Sequence, residues 1–153
     1  AGPRTRSFSS AAGGPGGSVP KPLGAYVHAR RAGDLLYLAG IGPRDPETDE
    51  VPGGPMTDPG TGAALAYDLE AQARQCFANV RRILAAHGCD LSDVVDVQAF
   101  LVDMRRDFPA FNRVWGEEMA GLTATRTTVG VTDLPPGGRI GVELKVVAQA
   151  RGG

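Results

Sequence analysis

Residues 67–88, with the sequence YDLEAQARQCFANVRRILAAHG, repeat their apolar side chains with the period of an α-helix. The apolar positions form one stripe, which consists of Leu69, Ala73, Cys76, Phe77, Val80, Ile83 and Leu84. Arg74, Arg81 and Arg82 lie off this stripe, so the pattern predicts an amphipathic helix that buries one side. Gly88 follows at the position where a left-handed residue commonly ends a helix.

A second helix is predicted over residues 106–120, RDFPAFNRVWGEEMA. Asp107 suits its N-cap, and Pro109 is tolerated in the first turn. Its buried side is expected to consist of Phe108, Phe111, Trp115 and Met119. Asn112 lies close to that side, and because Asn is mildly unfavourable inside a helix, we expect it to hydrogen-bond a specific group.

Strand patterns fill most of the remaining chain, over residues 25–33, 34–42, 94–104, 125–134 and 139–150. The turn signal RAGD joins the first two, AYVHARRAG and DLLYLAGIG, and predicts a hairpin. The turn PPGG joins the last two. Residues 42–66 form a long Pro/Gly-rich connection, which we expect to cover a site or to contact a subunit.

The order of these elements is strand, strand, helix, strand, helix, strand, strand (ββαβαββ), which predicts an α+β fold. Right-handed crossovers place both helices on one face of the sheet. An apolar face of the last two strands is expected under the helices, formed by Val129, Val131, Ile140, Val142, Leu144 and Val146. The opposite face carries Arg126, Thr128, Gly130, Gly141, Glu143 and Lys145. Because so small and polar a face makes a poor second core, we infer that another subunit covers it in a homo-oligomer.

The beginning of the chain differs in composition from the rest. Residues 1–20 are rich in Gly, Ser, Ala and Pro and predict a flexible tail before a single domain over residues 21–151. The tail contains arginines and no acid, as processed import segments do, although a native tail or a cloning remnant is the simpler interpretation. We expect a cytoplasmic protein, with the mitochondrial matrix as the alternative. The net charge of −1 provides no electrostatic case for binding nucleic acid or an anionic membrane.

Residue types that bind metals or cofactors lack the required spacing. Cys76 and Cys89 have no Cys or His neighbours at zinc-like spacing, and His28 and His87 complete no metal site. GxSxG, Walker, HExxH and dinucleotide-binding patterns are also missing. We therefore expect no metal and no organic cofactor.

Arg126 is a single large charge within the small residues TATRTTVGV. The alternation of the last two strands predicts that Arg126 and Glu143 share one face of adjacent strands. Three interpretations remain open. The pair forms a cross-strand salt bridge; Arg126 binds a ligand carboxylate with its planar guanidinium; or Glu143 in addition carries a proton beside that carboxylate.

Several segments in order resemble the reactive-intermediate (enamine/imine) deaminase family, RidA/YjgF: GAYVH, LYLAGIGPRDPET, EAQARQCFANVRRILAAHG, DVVDVQAFLVDMRRDFPAFNRVW, RTTVGVTDLP and GVELKVVA. The resemblance covers roughly residues 22–150 and is closest to members of the 2-aminomuconate deaminase type. It implies a chorismate-mutase-like fold in which three subunits pack their sheets into a barrel. Three pockets then lie between neighbouring subunits.

The resemblance also implies roles for individual residues. Arg126 takes the position of the family's arginine for the substrate carboxylate, and Tyr26 and Asn112 take those of two substrate-binding residues. Backbone amides near Gly40 and Thr128 are expected to help hold the ligand.

Two differences from the family's pattern bear on the expected rate and substrate of the reaction. Many members have Ser in place of Ala39, and the best-studied branch has an acid at the position of Gly141. Glu143 then remains the candidate proton carrier, predicted one side-chain repeat further along the same strand face.

The reaction implied is hydrolytic deamination of a 2-aminoalkenoate, of the 2-aminomuconate or 2-aminoacrylate type, to a 2-oxo acid and ammonia. Two alternatives stay open: a non-catalytic module that binds carboxylate metabolites, and an enzyme that processes a biosynthetic imine.

Overall fold

The computed structural model describes residue 19 and residues 21–152. Its strands and helices follow the predicted ββαβαββ order. The bounds are β1 Ala29–Ala32, β2 Leu35–Ile41, α1 Leu69–Ala86, β3 Val94–Leu101, α2 Met104–Glu118, β4 Thr125–Gly130 and β5 Val142–Gln149. One short 3₁₀ helix, Leu91–Asp93, precedes β3. The tail predicted over residues 1–20 lies outside the described residues, apart from residue 19.

The five strands form one mixed sheet in the order β1-β2-β5-β3-β4. Only β3 and β4 pair in parallel, as expected for strands joined by a helical crossover. Both helices pack on the same side of this sheet, and the core lies between them and the strands. The buried side of β5 consists of Val142, Leu144, Val146 and Ala148. The predicted α+β class, with two helices on one face, is confirmed, whereas the predicted trimer is not visible in a single chain.

Helix α1 ends before Gly88 as its sequence predicts, and it begins at Leu69, two residues into the predicted segment. The Asp68 side chain accepts a hydrogen bond from the Ala71 amide at 3.2 Å, so it is the N-cap. Gly88 follows the helix with a φ of 70°, a conformation that costs glycine little. All seven residues of the predicted stripe are buried.

Helix α2 begins earlier than predicted, and its N-cap was assigned to the wrong residue. The capping side chain is that of Asp103, which accepts from the Arg106 amide at 3.1 Å. Asp107 is instead buried and accepts a hydrogen bond from the Tyr67 hydroxyl at 2.6 Å. Because the helix starts at Met104, four residues before Phe108, the first residue of its predicted apolar side, Pro109 lies beyond the first turn.

Strands β1, β4 and β5 are shorter than their sequence patterns. Residues 25–28 do not belong to β1, although the Ala39 amide still donates to the His28 carbonyl at 2.8 Å. The chain leaves β4 after Gly130, since Asp133 organises a turn in which its Oδ1 accepts from two backbone amides. The alternation of apolar and polar residues continues in the sequence beyond the observed strand ends. The backbone pairing that defines each strand ends earlier.

Strand register places Arg126 and Glu143 on opposite faces of the sheet. Arg126 lies opposite Val97, which lies opposite the buried Val146, so Arg126 is on the helix-covered face. Glu143 lies opposite Phe100 on the other face. Strand β3 also separates β4 from β5. The prediction of a shared face on adjacent strands is therefore wrong.

We call the surface away from the helices the open face, defined by the register of residues Tyr37, Gln98, Phe100, Thr127, Val129, Glu143, Lys145 and Val147. Val129 was predicted to lie under the helices and belongs to this face, whereas Thr128 and Gly130 belong to the helix-covered face. Gly141 precedes β5, and a Cβ there would lie 3.1 Å from Leu69 Cδ1, on the helix side. The prediction that Gly141 shares the strand face of Glu143 is also wrong.

Candidate active site

Arg126 lies on edge strand β4 beneath three aromatic rings of α2. Its guanidinium carbon is 5.0 Å from the ring centre of Trp115, 5.5 Å from that of Phe111 and 5.8 Å from that of Phe108. These cation–π contacts hold the guanidinium without consuming its N–H donors. Within the part of the chain that the structure describes, Arg126 makes no ion pair or hydrogen bond, and partial burial lowers its pKa. Its planar donor set remains available for an external carboxylate.

Two predicted polar residues, Thr128 and Asn112, belong to the elements that surround this guanidinium, β4 and α2. Thr128 follows two residues later on the same face of β4, and its buried Oγ1 has no hydrogen-bond partner among the described residues. Asn112 is exposed on α2, four residues after Phe108 and three before Trp115, so helix geometry places it between those two rings. We call Arg126, Thr128 and Asn112 the arginine cluster.

Three other predicted residues line a cavity at the end of the sheet, in contact with the loop between β2 and α1. They are Tyr26, Gly40 and Glu143, and we call this space the Glu143 cavity. Strand β2 carries a bulge between Tyr37 and Gly40, a feature that commonly redirects side chains near functional sites. Because Gly40 lacks a side chain, the carboxylate lies against its backbone: a Cβ there would be 2.7 Å from Glu143 Oε2.

Glu143 is half-buried and has no ion-pair or hydrogen-bond partner in the described ranges. Lys145, two residues further along β5, does not pair with it, and its ammonium donates to the Leu38 carbonyl. Burial raises the pKa of Glu143 above its ordinary value. A carboxyl group of this kind exchanges its proton closer to neutral pH, which suits it to carry a proton in a reaction.

The two groups do not form one site within a single chain. The arginine cluster lies on the helix-covered face, whereas Tyr26, Gly40 and Glu143 surround a cavity associated with the open face. A cross-strand salt bridge between Arg126 and Glu143 is thereby ruled out. Sequence reasoning also missed Arg44 and Arg139, which line the Glu143 cavity. Both arginines directly follow turn-forming Gly and Pro residues, in the segments GPR and PPGGR.

Two broader kinds of functional feature are absent from the described residues. None of the described His, Cys, Asp and Glu side chains form a group of three that could hold a metal ion. No helix in residues 21–152 is both long and apolar enough to cross a membrane.

Comparison with known proteins decides the family. Residues 16–150 match the family described as endoribonuclease L-PSP. This match spans nearly all of the folded region. The chain belongs to the endoribonuclease L-PSP family, also known as RidA/YjgF/RutC. This agrees with the predicted family, whereas the 2-aminomuconate branch within it is not established.

Individual members of this family resemble the chain along most of its length. A 2-iminobutanoate/2-iminopropanoate deaminase from Dermatophagoides farinae is 34% identical over 131 residues, 86% of this chain and 91% of that protein. The mitochondrial protein Mmf1 of Saccharomyces cerevisiae is 30% identical over 85% of this chain and 78% of its own length. The crystal structure of the YjgF gene product from E. coli superposes with a TM-score of 0.71 at 28% identity, covering 88% of this chain and 94% of that one. The family therefore includes imine deaminases.

Proposed function

We propose that this protein hydrolyses 2-aminoalkenoates, in their imine form, to 2-oxo acids and ammonia. The observation that carries the proposal is the guanidinium of Arg126, held by three aromatic rings with its hydrogen-bond donors unused in the described chain. A relative named as an imine deaminase supports the reaction class. The substrate type, 2-aminomuconate or 2-aminoacrylate, remains part of the proposal.

We further propose that a complete active site forms between two copies of the chain, in a homotrimer. In one copy the arginine cluster and the Glu143 cavity lie on opposite faces, so a ligand that touches both needs a second copy. Strand β4 is an edge strand, which leaves Arg126 at the border of the subunit. The open face exposes large apolar side chains such as Tyr37, at 42%, and Val129, at 39%, which favours its burial by another subunit.

The proposed mechanism uses an electrophile that water already attacks. Arg126 binds the substrate carboxylate with two parallel N–H donors, while Asn112 and the Thr128 hydroxyl orient the ligand beside it. A water oxygen bonds to the imine carbon, and one water proton passes to the nitrogen. The carbon–nitrogen bond then breaks, its electron pair leaves with ammonia, and the remaining hydroxyl proton follows the nitrogen through Glu143. Tyr26 and the backbone at Gly40 are assigned to holding the water and substrate.

The decisive experiment is a rate measurement with imine generated in situ by a pyridoxal-phosphate dehydratase, followed as ammonia release. We expect Arg126→Ala to lower kcat/KM at least tenfold, because its carboxylate contact positions the substrate. Arg105→Ala, at an exposed arginine of α2, is the matched control and should keep the wild-type rate. An unchanged rate in a folded Arg126→Ala variant would exclude the assigned role.

The same experiment distinguishes the alternative of a carboxylate-binding module. Ala39 in place of a hydroxyl-bearing residue is the observation that favours it. Saturable binding of a 2-oxo acid, without any acceleration of ammonia release by the wild-type protein, would support the module and contradict the deaminase. A biosynthetic imine as the true substrate would appear as acceleration confined to that imine.

The compartment stays a prediction. A relative that is named as mitochondrial gives the matrix some support as an alternative to the cytoplasm. The basic segment that led to this alternative lies outside the described residues.

A further inference from the structure

The Glu143 cavity is lined by positive charges that the proposed deamination does not use. Its charged lining residues are three cations, Lys21, Arg44 and Arg139, and one anion, Glu143 itself. Hydrolysis of an imine needs one cation for the substrate carboxylate, and Arg126 of the other copy is assigned that task. The additional cations therefore call for a ligand with more negative charge than one carboxylate.

One loop residue positions two of these cations. Asp49 forms an ion pair with Arg44, with 2.7 Å between Oδ1 and Nη1. Its backbone carbonyl accepts a hydrogen bond from Arg139 Nη2 at 3.5 Å. Asp49 has a φ of 64°, which is uncommon for a residue other than glycine, and its amide donates to the Asp45 carbonyl at 3.0 Å. The loop conformation therefore brings both guanidinium groups to the same side of the cavity.

Arg44 and Arg139 differ in how much of their charge is already balanced. The Arg44 side chain is 20% exposed, forms the ion pair with Asp49 and donates to the Lys21 carbonyl. Arg139 is half-buried and makes the single long hydrogen bond to the Asp49 carbonyl, with no ion pair in the described chain. Its remaining donors are free to bind an anion within the cavity, as a guanidinium binds a carboxylate.

The rest of the lining suits a short carbon chain between two charges. Apolar groups of Leu23, Val51, Pro135 and Ile140 line the same cavity as Arg139 and Glu143. An apolar wall with few charged groups is the usual arrangement for orienting a small ligand. The cavity thus combines a carboxyl group that can carry a proton, Glu143, with a guanidinium that can bind an anion, Arg139.

We propose that Arg139, supported by Arg44, binds a second carboxylate at the far end of the substrate, so that the protein prefers dicarboxylate imines. This inference rests on the proposed deaminase function, with Arg126 binding the carboxylate next to the reacting carbon. Arg139 is then a specificity-determining residue, and its loss should raise KM for a dicarboxylate with little change in kcat.

The test compares two imines that differ in one carboxylate. An amino-acid oxidase generates 2-iminoglutarate from L-glutamate or 2-iminobutanoate from L-2-aminobutanoate, and semicarbazide traps the imine that the protein has not hydrolysed. We expect the wild type to prefer 2-iminoglutarate. Arg139→Gln should lower kcat/KM at least tenfold for 2-iminoglutarate and less than twofold for 2-iminobutanoate. Arg105→Gln is the matched control and should change neither value.

The outcomes separate this inference from the proposed function. Wild-type indifference to the second carboxylate, or equal effects of Arg139→Gln on the two imines, would overturn the inference while leaving the deaminase intact. Full activity of Arg126→Lys and Arg126→Ala on both imines would instead contradict the proposed function. In that case, calorimetric titration with 2-oxoglutarate and 2-oxobutanoate still tests the inference. Tighter binding of 2-oxoglutarate that Arg139→Gln abolishes supports the second carboxylate site, and equal binding of both acids excludes it.

Discussion

At the scale of single residues, the most informative contact is that between Gly40 and Glu143. The Glu143 carboxylate lies where a side chain of residue 40 would be. The glycine in this strand therefore leaves room for a neighbouring functional group. Because the Glu143 side chain is flexible, its carboxylate can move aside at a low cost in free energy. Stability and activity should therefore respond differently to a methyl group at this position.

We expect Gly40→Ala to lower the deaminase kcat/KM at least tenfold, because the added Cβ displaces the Glu143 carboxylate. The free energy of unfolding should change by less than about 1 kcal/mol, since Gly-to-Ala replacement also restricts the unfolded chain. Gly116→Ala, at an α2 position where a Cβ meets nothing within 4 Å, is the control for both measurements. Wild-type turnover in Gly40→Ala would remove Glu143 from the proposed mechanism.

The raised pKa of Glu143 predicts a pH-dependent stability. Because the folded protein binds this proton more tightly than the unfolded chain, the contribution of Glu143 to stability is fully present below the unfolded pKa of about 4.5 and is lost as pH rises through the folded pKa. Glu143→Gln should therefore increase the free energy of unfolding at pH 7, and this gain should shrink toward pH 4.5.

Urea unfolding of both proteins at several pH values, at one chain concentration, measures that difference. The buried Asp107, whose pKa burial also raises, is present in both proteins and cancels in the comparison. A gain of the same size at every pH would show that the substitution acts through packing.

At the scale of secondary structure elements, α2 decides how the arginine cluster is presented. The helix supplies the three rings around Arg126, and the hydrogen bond between Tyr67 and Asp107 ties its first turns to the chain before α1. Ion pairs such as Arg74–Glu117, at 2.6 Å, join the exposed sides of α1 and α2 and contribute little because they are solvated. The stability of α2 is therefore expected to depend most on the contacts at its start.

Asp103→Ala should lower the free energy of unfolding by about 1 kcal/mol, the usual cost of losing an N-cap. Asp103→Asn should leave stability nearly unchanged, because an amide oxygen caps a helix as well as a carboxylate does. Chemical denaturation of the three proteins provides the comparison. Equal stability of Asp103→Ala and wild type would show that the cap at the start of α2 is unimportant.

At the scale of the whole molecule, one chain leaves both its edge strand β4 and its open face without a partner among the described residues. A charge on the open face should prevent the proposed assembly. We expect Val129→Lys to shift the mass in light scattering from a trimer to a monomer, because a buried ammonium without a partner is strongly unfavourable. Deaminase activity should fall with it, since each site needs two copies.

Ala85→Lys, exposed near the end of α1, is the matched control and should remain trimeric. A wild-type protein that is monomeric while fully active would contradict the assignment of the active site to an interface between copies. A Val129→Lys protein that stays trimeric would place the contact on another surface.

Local patterns in the sequence predicted much of this structure. The stripe of α1 and the capping glycine Gly88 depend on neighbours within one or two helical turns, and both are confirmed. The order of the elements and the α+β class follow from the sequence of helix-like and strand-like periodicities along the chain. The start of α2 was misplaced because Asp103 and Asp107 both fit an N-cap in sequence, and only the contact with Tyr67, far away along the chain, distinguishes them.

The sequence by itself therefore determined the elements, their order, the family and the candidate site residues. Only the tertiary structure decided which of those residues lie together. Alternation shows that Arg126 and Thr128 share a face, but not which face, because the strand β3 that sets their orientation relative to β5 lies far away in the chain. Pairing between distant strands thus separated Arg126 from Glu143, and it gathered Arg139 and Arg44 around a cavity that no local pattern indicated.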